Sequence, residues 1–169
     1  MRVSGGWVAT ALVACLALVP QRASTGSAGA FASEPAAQIE GAVRSYMEAI
    51  DAGDLDRQMR SWSEDTAATS VIMGEIWRGR ANIRARSAEY VPVSKRMRNE
   101  LGAVTVVPLG ADAAISVVPY RSVRRDPADE KLRPYELDSM LTLIWRKTRG
   151  DWRILHEHAS VKVPPPSAQ

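Results

Sequence analysis

Cysteine occurs once in the 169 residues, at Cys15, and histidine twice, at His156 and His158. That scarcity excludes a disulfide framework and zinc held by a cluster of thiolates. A glycine-rich phosphate loop, a Ser/His/Asp order and a paired-carboxylate motif are all missing, which removes the usual grounds for reading a kinase, a nucleotide enzyme or a hydrolase. The main apolar run, Trp7 to Val19, has thirteen residues, short of the roughly 20 that a bilayer-spanning helix needs. No membrane span is expected. What is present is a length and a 46% hydrophobic content that suit one globular domain.

The first segment reads as an export signal. Arg2 precedes the apolar run, Pro20 ends it, and Gln21 to Ala32 is small and polar. Cleavage after Ala30 or after Ala32 fits the small-x-small rule, and the second is preferred. The expected organisation is a secretory signal over residues 1–32, a domain over 33–163 and a disordered tail over 164–169 containing Pro164, Pro165 and Pro166. A secreted or periplasmic protein follows. The alternative is a lipoprotein anchored at Cys15, since Leu12-Val13-Ala14-Cys15 has the shape of a lipobox, but the run stays apolar through Leu16 to Val19. Export removes Arg2, Arg22 and Cys15 and leaves twenty basic against nineteen acidic residues. The high isoelectric point of the whole chain, about 9.3, is then no ground for a nucleic-acid partner.

Helices come first in the domain and strands follow. Apolar residues at Ala36, Ile39, Val43, Tyr46, Met47 and Ile50 keep one helical face, with Ser33 and Pro35 as its start and Gly53 as its stop. Asp54 caps a second helix with apolar positions Leu55, Met59 and Trp62. Thr66–Ile72 reads as a strand, Met73-Gly74 as a turn and Glu75–Arg78 as the return. Arg80–Tyr90 reads as a third helix, stopped by Pro92. Four long strands follow: Arg96–Leu109, Ala113–Arg125, Arg133–Lys147 and Trp152–Val163. Their short connections make them antiparallel, and strands this long must bend. The fold class is α+β: a strongly curved, cone-shaped antiparallel sheet packed against three N-terminal helices.

Three motifs carry a family resemblance. Met47-Glu48-Ala49-Ile50-Asp51-Ala52-Gly53-Asp54-Leu55 resembles the first helix and turn of the nuclear transport factor 2-like superfamily. Trp77-Arg78-Gly79-Arg80-Ala81-Asn82-Ile83 resembles its strand entering the third helix, and Gly150-Asp151-Trp152-Arg153-Ile154-Leu155-His156-Glu157-His158-Ala159-Ser160 its last strand. The SnoaL-like branch is the nearest in pattern, and the final hairpin is also similar to that of the calcium/calmodulin-dependent kinase II association domain. The resemblance implies a cystatin-like roll and a dimer through the outer sheet face. It leaves function open, because the fold hosts isomerases, cyclases, dehydratases, adaptors and oligomerising domains. Where the kinase association domain carries pocket arginines, this chain has Tyr120, Leu143 and Ala159, which implies a more apolar cavity.

A three-residue loop, Thr148-Arg149-Gly150, predicts the register of the last hairpin. It puts Trp145, Leu143 and Leu141 opposite Arg153, Leu155 and Glu157 on one face. Ile144, Thr142 and Met140 then stand opposite Ile154, His156 and His158 on the other. The first face, more aliphatic, meets the helices. The second, with Ile144, Ile154, Met140, His156 and His158, is expected to be the dimer face.

The candidate site follows from the enclosed face. Glu157 is the candidate proton shuttle, because a carboxylate in an apolar cavity has a raised pKa, and Tyr120 is its candidate hydrogen-bonding partner toward a ligand oxygen. The rival role for Glu157 is a place at the cavity mouth, paired with an arginine. Tyr46, Trp62, Trp77 and Tyr90 are expected to line the cavity together with Val118, Leu141, Leu143, Leu155 and Ala159. Asp138 with Arg121, or Glu75 with Arg78, could form a charged pair, as solvated faces usually do. His156 and His158 lie about 6.5 to 7 Å apart along one face of a strand. They lack a third ligand, so no metal and no cofactor is expected. Two readings stand: an exported, dimeric pocket protein for a small apolar or aromatic molecule, which is preferred, or an acid/base enzyme acting on an enolisable substrate through Glu157 and Tyr120.

Overall fold

The computed structural model describes residues 28–126, 128 and 136–162. Three helices, α1 (Ala28–Ala52), α2 (Leu55–Arg60) and α3 (Arg80–Ser94), pack on one curved, unclosed sheet. Its strands are β1 (Thr69–Ile72), β2 (Glu75–Arg78), β3 (Met97–Leu101), β4 (Thr105–Pro108), β5 (Ala113–Arg124), β6 (Glu136–Thr148) and β7 (Asp151–Val161). The order is β2-β1-β7-β6-β5-β3, with β4 also on β5. Most of the expected signal segment and the whole expected tail lie outside the described residues.

The predicted apolar face of α1 is the one that is buried: Ile39, Val43, Tyr46 and Met47 enter the core. The helix begins at Ala28, upstream of the expected start, and Pro35 falls inside it. At its other end Gly53 takes φ 62, its N–H reaching the Ile50 carbonyl and that of Asp54 the Ala49 carbonyl, both at 2.9 Å. This paired closure needs a left-handed residue, which glycine supplies without a side-chain clash. Asp54 then caps α2 by accepting from the Arg57 N–H at 2.9 Å. Beyond α2 the chain is stapled to β7, Ile154 donating to the Ser61 carbonyl and Ser63 to that of Ile154.

Pro92 does not stop α3. The helix runs on to Ser94, and the Lys95 N–H still reaches the Val91 carbonyl at 3.1 Å. A proline forfeits only its own donor, and near a C-terminus the remaining bonds close the last turn. The expected strand Arg96–Leu109 is two strands, both antiparallel to β5. Between them Gly102 donates to the Pro119 carbonyl at 2.8 Å, and a Cβ there would meet Pro119 Cγ at 2.8 Å. The backbone approaches so closely that only glycine fits, and the strand breaks there.

The last hairpin also differs from expectation. Thr148 pairs with Asp151, so the loop is the two residues Arg149 and Gly150, at φ 54 and 91. Both values are positive, as a type I′ turn requires. Trp145 pairs with Ile154 and Ile144 with His156, leaving Leu155 as the extra residue of a bulge. The bulge shifts the alternation by one residue. The shorter loop, by setting Ile154 opposite the inward Trp145, turns Ile154 into the core with 0% exposure, so it is not part of the outer face.

Candidate functional site

A cavity of about 330 Å³ opens between the helices and the inner face of the sheet, at the small end of ligand pockets. Its buried end is formed by Tyr46 of α1, Leu141 of β6 and Glu157 of β7. Its open end is rimmed by Met73 at the β1–β2 turn, Tyr90 and Val93 of α3 and Val161 of β7, all exposed. Met73 alone is 75% exposed.

Glu157 is 5% exposed. Its Oε1 accepts from the Tyr46 hydroxyl at 3.0 Å and its Oε2 from the Ser70 hydroxyl at 2.7 Å. β1 runs parallel to β7 with Ser70 opposite Glu157, which carries the serine to the carboxylate. Burial raises the carboxyl pKa, and the Ser70 and Tyr46 hydrogen bonds pull it partly back. The Tyr46 phenol is raised by burial and then by the neighbouring Glu157 charge, while Gln58 Nε2, 3.5 Å from its oxygen, opposes the rise. Tyr46 therefore stays protonated and acts as a donor.

Tyr120 lines the same cavity. Its phenol is raised by burial, with Ser139 pulling the other way and the Glu157 charge adding to the rise. Ser139 stands directly opposite it on β6. The carboxylate is thus held by Tyr46 and Ser70, neither of which was assigned that part from sequence, and no arginine touches it among the described residues. Ser70 could be found only through the parallel pairing of β1 with β7. Nothing in the local sequence announces that pairing.

Of the other expected lining residues, Tyr46, Trp77, Tyr90, Leu141 and Ala159 face the cavity. Trp62, Val118 and Leu143 do not: each is almost wholly buried and outside the lining. Trp62 packs edge-on against Tyr46 with ring centroids 6.4 Å apart, behind the lining. Leu155, displaced by the bulge, is half-buried and outside the lining. The lining also includes Asn99, whose side chain donates to Asp51 Oδ1 at 2.5 Å and accepts from Ser122 Oγ at 2.6 Å. Sequence reasoning missed this clamp between α1, β3 and β5.

The remaining candidates lie on the surface. Thr142 faces His158 and Ile144 faces His156 on the outer side, where Met140 is exposed. His156 Nδ1 is 2.7 Å from Thr69 Oγ1, and burial followed by the nearby His158 lowers its pKa. Glu75 pairs with Arg86 rather than Arg78 and accepts from Trp77 Nε1 at 3.1 Å. On a strand, Glu75 and Arg78 point to opposite sides, whereas α3 brings Arg86 over the Trp77 ring at 5.6 Å. Arg121 pairs with Glu136 and lies 3.8 Å from Asp138; these are exposed pairs worth little. Among the described residues no three His, Cys, Asp or Glu side chains form a metal site, and no helix is long and apolar enough to cross a membrane.

A family profile described as a SnoaL-like domain matches residues 39–164. Solved structures of similar fold include a candidate dehydratase of the NTF2-like family from Streptomyces avermitilis, 20% identical, at TM-score 0.65 over 76% of this chain and 96% of that one. A protein with a cystatin-like fold from Caulobacter vibrioides is 23% identical, at TM-score 0.65 over 76% and 89%. One described as a candidate calcium/calmodulin-dependent protein kinase type II association domain, from Thiobacillus denitrificans, is 25% identical, at TM-score 0.61 over 73% and 94%. No curated protein matches the sequence.

Proposed function

The chain belongs to the family of SnoaL-like domains, and on that premise we propose that it binds a small, largely apolar molecule in the cavity. The observation that carries this reading is the lining itself. Apolar and aromatic side chains surround a few fixed polar groups, as in ligand pockets generally, and the rim exposes Met73 and Val93 where a soluble surface would ordinarily be polar. Titration with the neutral fluorophore N-phenyl-1-naphthylamine should give a saturable rise in emission. The substitution Ala159→Phe, which fills the lining, should abolish it. No rise, or a rise that ignores Ala159→Phe, would contradict the reading.

The domain is further proposed to be exported and to pair through the outer face around Met140, Ile144 and His158. Removal of a leader ending at Ala32 would leave Pro35 in the first turn of α1, where its missing N–H is tolerated. For the pairing, Ile144→Asp should yield monomers on a sizing column, and an unchanged assembly would refute it.

A second reading, acid/base catalysis on an enolisable substrate, is favoured by one observation. Glu157 is a buried carboxyl with a raised pKa in the same cavity as Tyr120. It would exchange solvent deuterium into the α-position of a bound ketone, and Glu157→Gln would stop the exchange.

A further inference from the structure

We propose that the ligand carries a protonated amine, seated against Glu157, on an apolar or aromatic skeleton. The inference rests on the binding reading above and specifies its ligand. Among the described residues that line the cavity, Glu157 is the one carboxylate, and no lysine, arginine or histidine accompanies it. A pocket with one buried acid and no base disfavours carboxylates and phosphates, whose charge would meet Glu157 unscreened.

The carboxylate also has capacity to spare. An ionised carboxylate accepts at about four lone-pair sites, and two hydroxyls, from Tyr46 and Ser70, are its hydrogen-bonding partners among the described residues. Both hydroxyls donate, which suits the ionised form. A buried charge without a counter-ion is costly. A proton is one remedy and an ammonium group on the ligand is another.

The walls suit the second remedy. Tyr46, Trp77, Tyr90 and Tyr120 all line the cavity, and aromatic faces attract cations in desolvated sites. Trp77 and Tyr90 stand as a tilted pair with centroids 5.8 Å apart. The Arg86 guanidinium, over the Trp77 ring, is already paired with Glu75 and Glu89 and is not part of the lining. The exposed rim of Met73, Val93 and Val161 then receives the apolar skeleton.

The test uses the full chain and three probes on one skeleton, measured by calorimetry at pH 7: 1-naphthylmethylamine, 1-naphthylmethanol and 1-naphthoate. The amine should bind at least tenfold tighter than the alcohol, and the carboxylate should bind weakest. In Glu157→Gln, checked for folding by circular dichroism, the amine and the alcohol should become equal. Equal binding of amine and alcohol to the wild-type chain overturns the inference and leaves the binding reading standing, and this arm needs no variant. An amine preference that survives Glu157→Gln also overturns it. If no probe binds and N-phenyl-1-naphthylamine does not either, the binding reading fails along with the inference.

Discussion

At the buried end of the cavity Tyr46, Ser70 and Glu157 are each at most 5% exposed, the two hydroxyls both donating to the carboxylate, whereas at the open end Met73 is 75% and Val93 44% exposed. The buried polar groups come from α1, β1 and β7, three distant parts of the chain, and removing one strands the others in a low-dielectric site. The open end is made of side chains that touch little and can be exchanged. The fixed polar groups therefore sit where the fold is least tolerant, and the exposed apolar rim sits where it is most tolerant.

The sharpest way to break this contrast is Tyr46→Phe. The ring still fills its place, but Glu157 loses a donor, and a buried acceptor left short costs about 1–3 kcal/mol. Urea unfolding should show a lower midpoint with an unchanged slope. A midpoint equal to wild type would mean that the buried end is not a linked unit.

A smaller effect of opposite sign is expected for Glu157→Gln. Because burial raises the native carboxyl pKa, the folded chain holds its proton at a pH where the unfolded chain has released it. The stability this group contributes is therefore lost as pH rises from the unfolded value through the native one. Glu157→Gln removes that penalty. Its melting temperature should exceed wild type at pH 7 by about 2–4 °C, and the gap should close as pH falls toward 4.5. A gap that widens on acidification would reverse the sign of the proposed shift.

The smallest effect belongs to the rim. Met73 has φ 51 ahead of Gly74, a position that asparagine adopts more readily. Met73→Asn should leave stability within about 0.5 kcal/mol of wild type, while the dissociation constant of N-phenyl-1-naphthylamine rises. Loss of folding would show that the rim carries structure after all.

How far the sequence reaches is visible in the last hairpin. The spacing of Leu141, Leu143 and Trp145 identifies the inner face of β6, and these residues are buried there. On β7 the assumed loop was one residue too long, which exchanged Ile154 with Leu155. The bulge then restored the alternation, so Glu157 faces inward despite a register that differs from expectation. Bulges leave no local mark in a run such as Ile154-Leu155-His156. The helical face of α1 was legible because a period of 3.6 is a local property. The Ser70–Glu157 and Asp51–Asn99 contacts were not legible, because each joins segments far apart in the chain.

The chemistry of the cavity turns on the state of one carboxyl group. Carbon-13 NMR of the Glu157 side-chain carboxyl, assigned by its disappearance in Glu157→Gln, reports its titration directly. The predicted result is a midpoint above the ordinary glutamate value of 4.5 in the free protein, which falls when 1-naphthylmethylamine is added. A midpoint at or below 4.5 in the free protein would contradict a carboxyl buried in an apolar cavity.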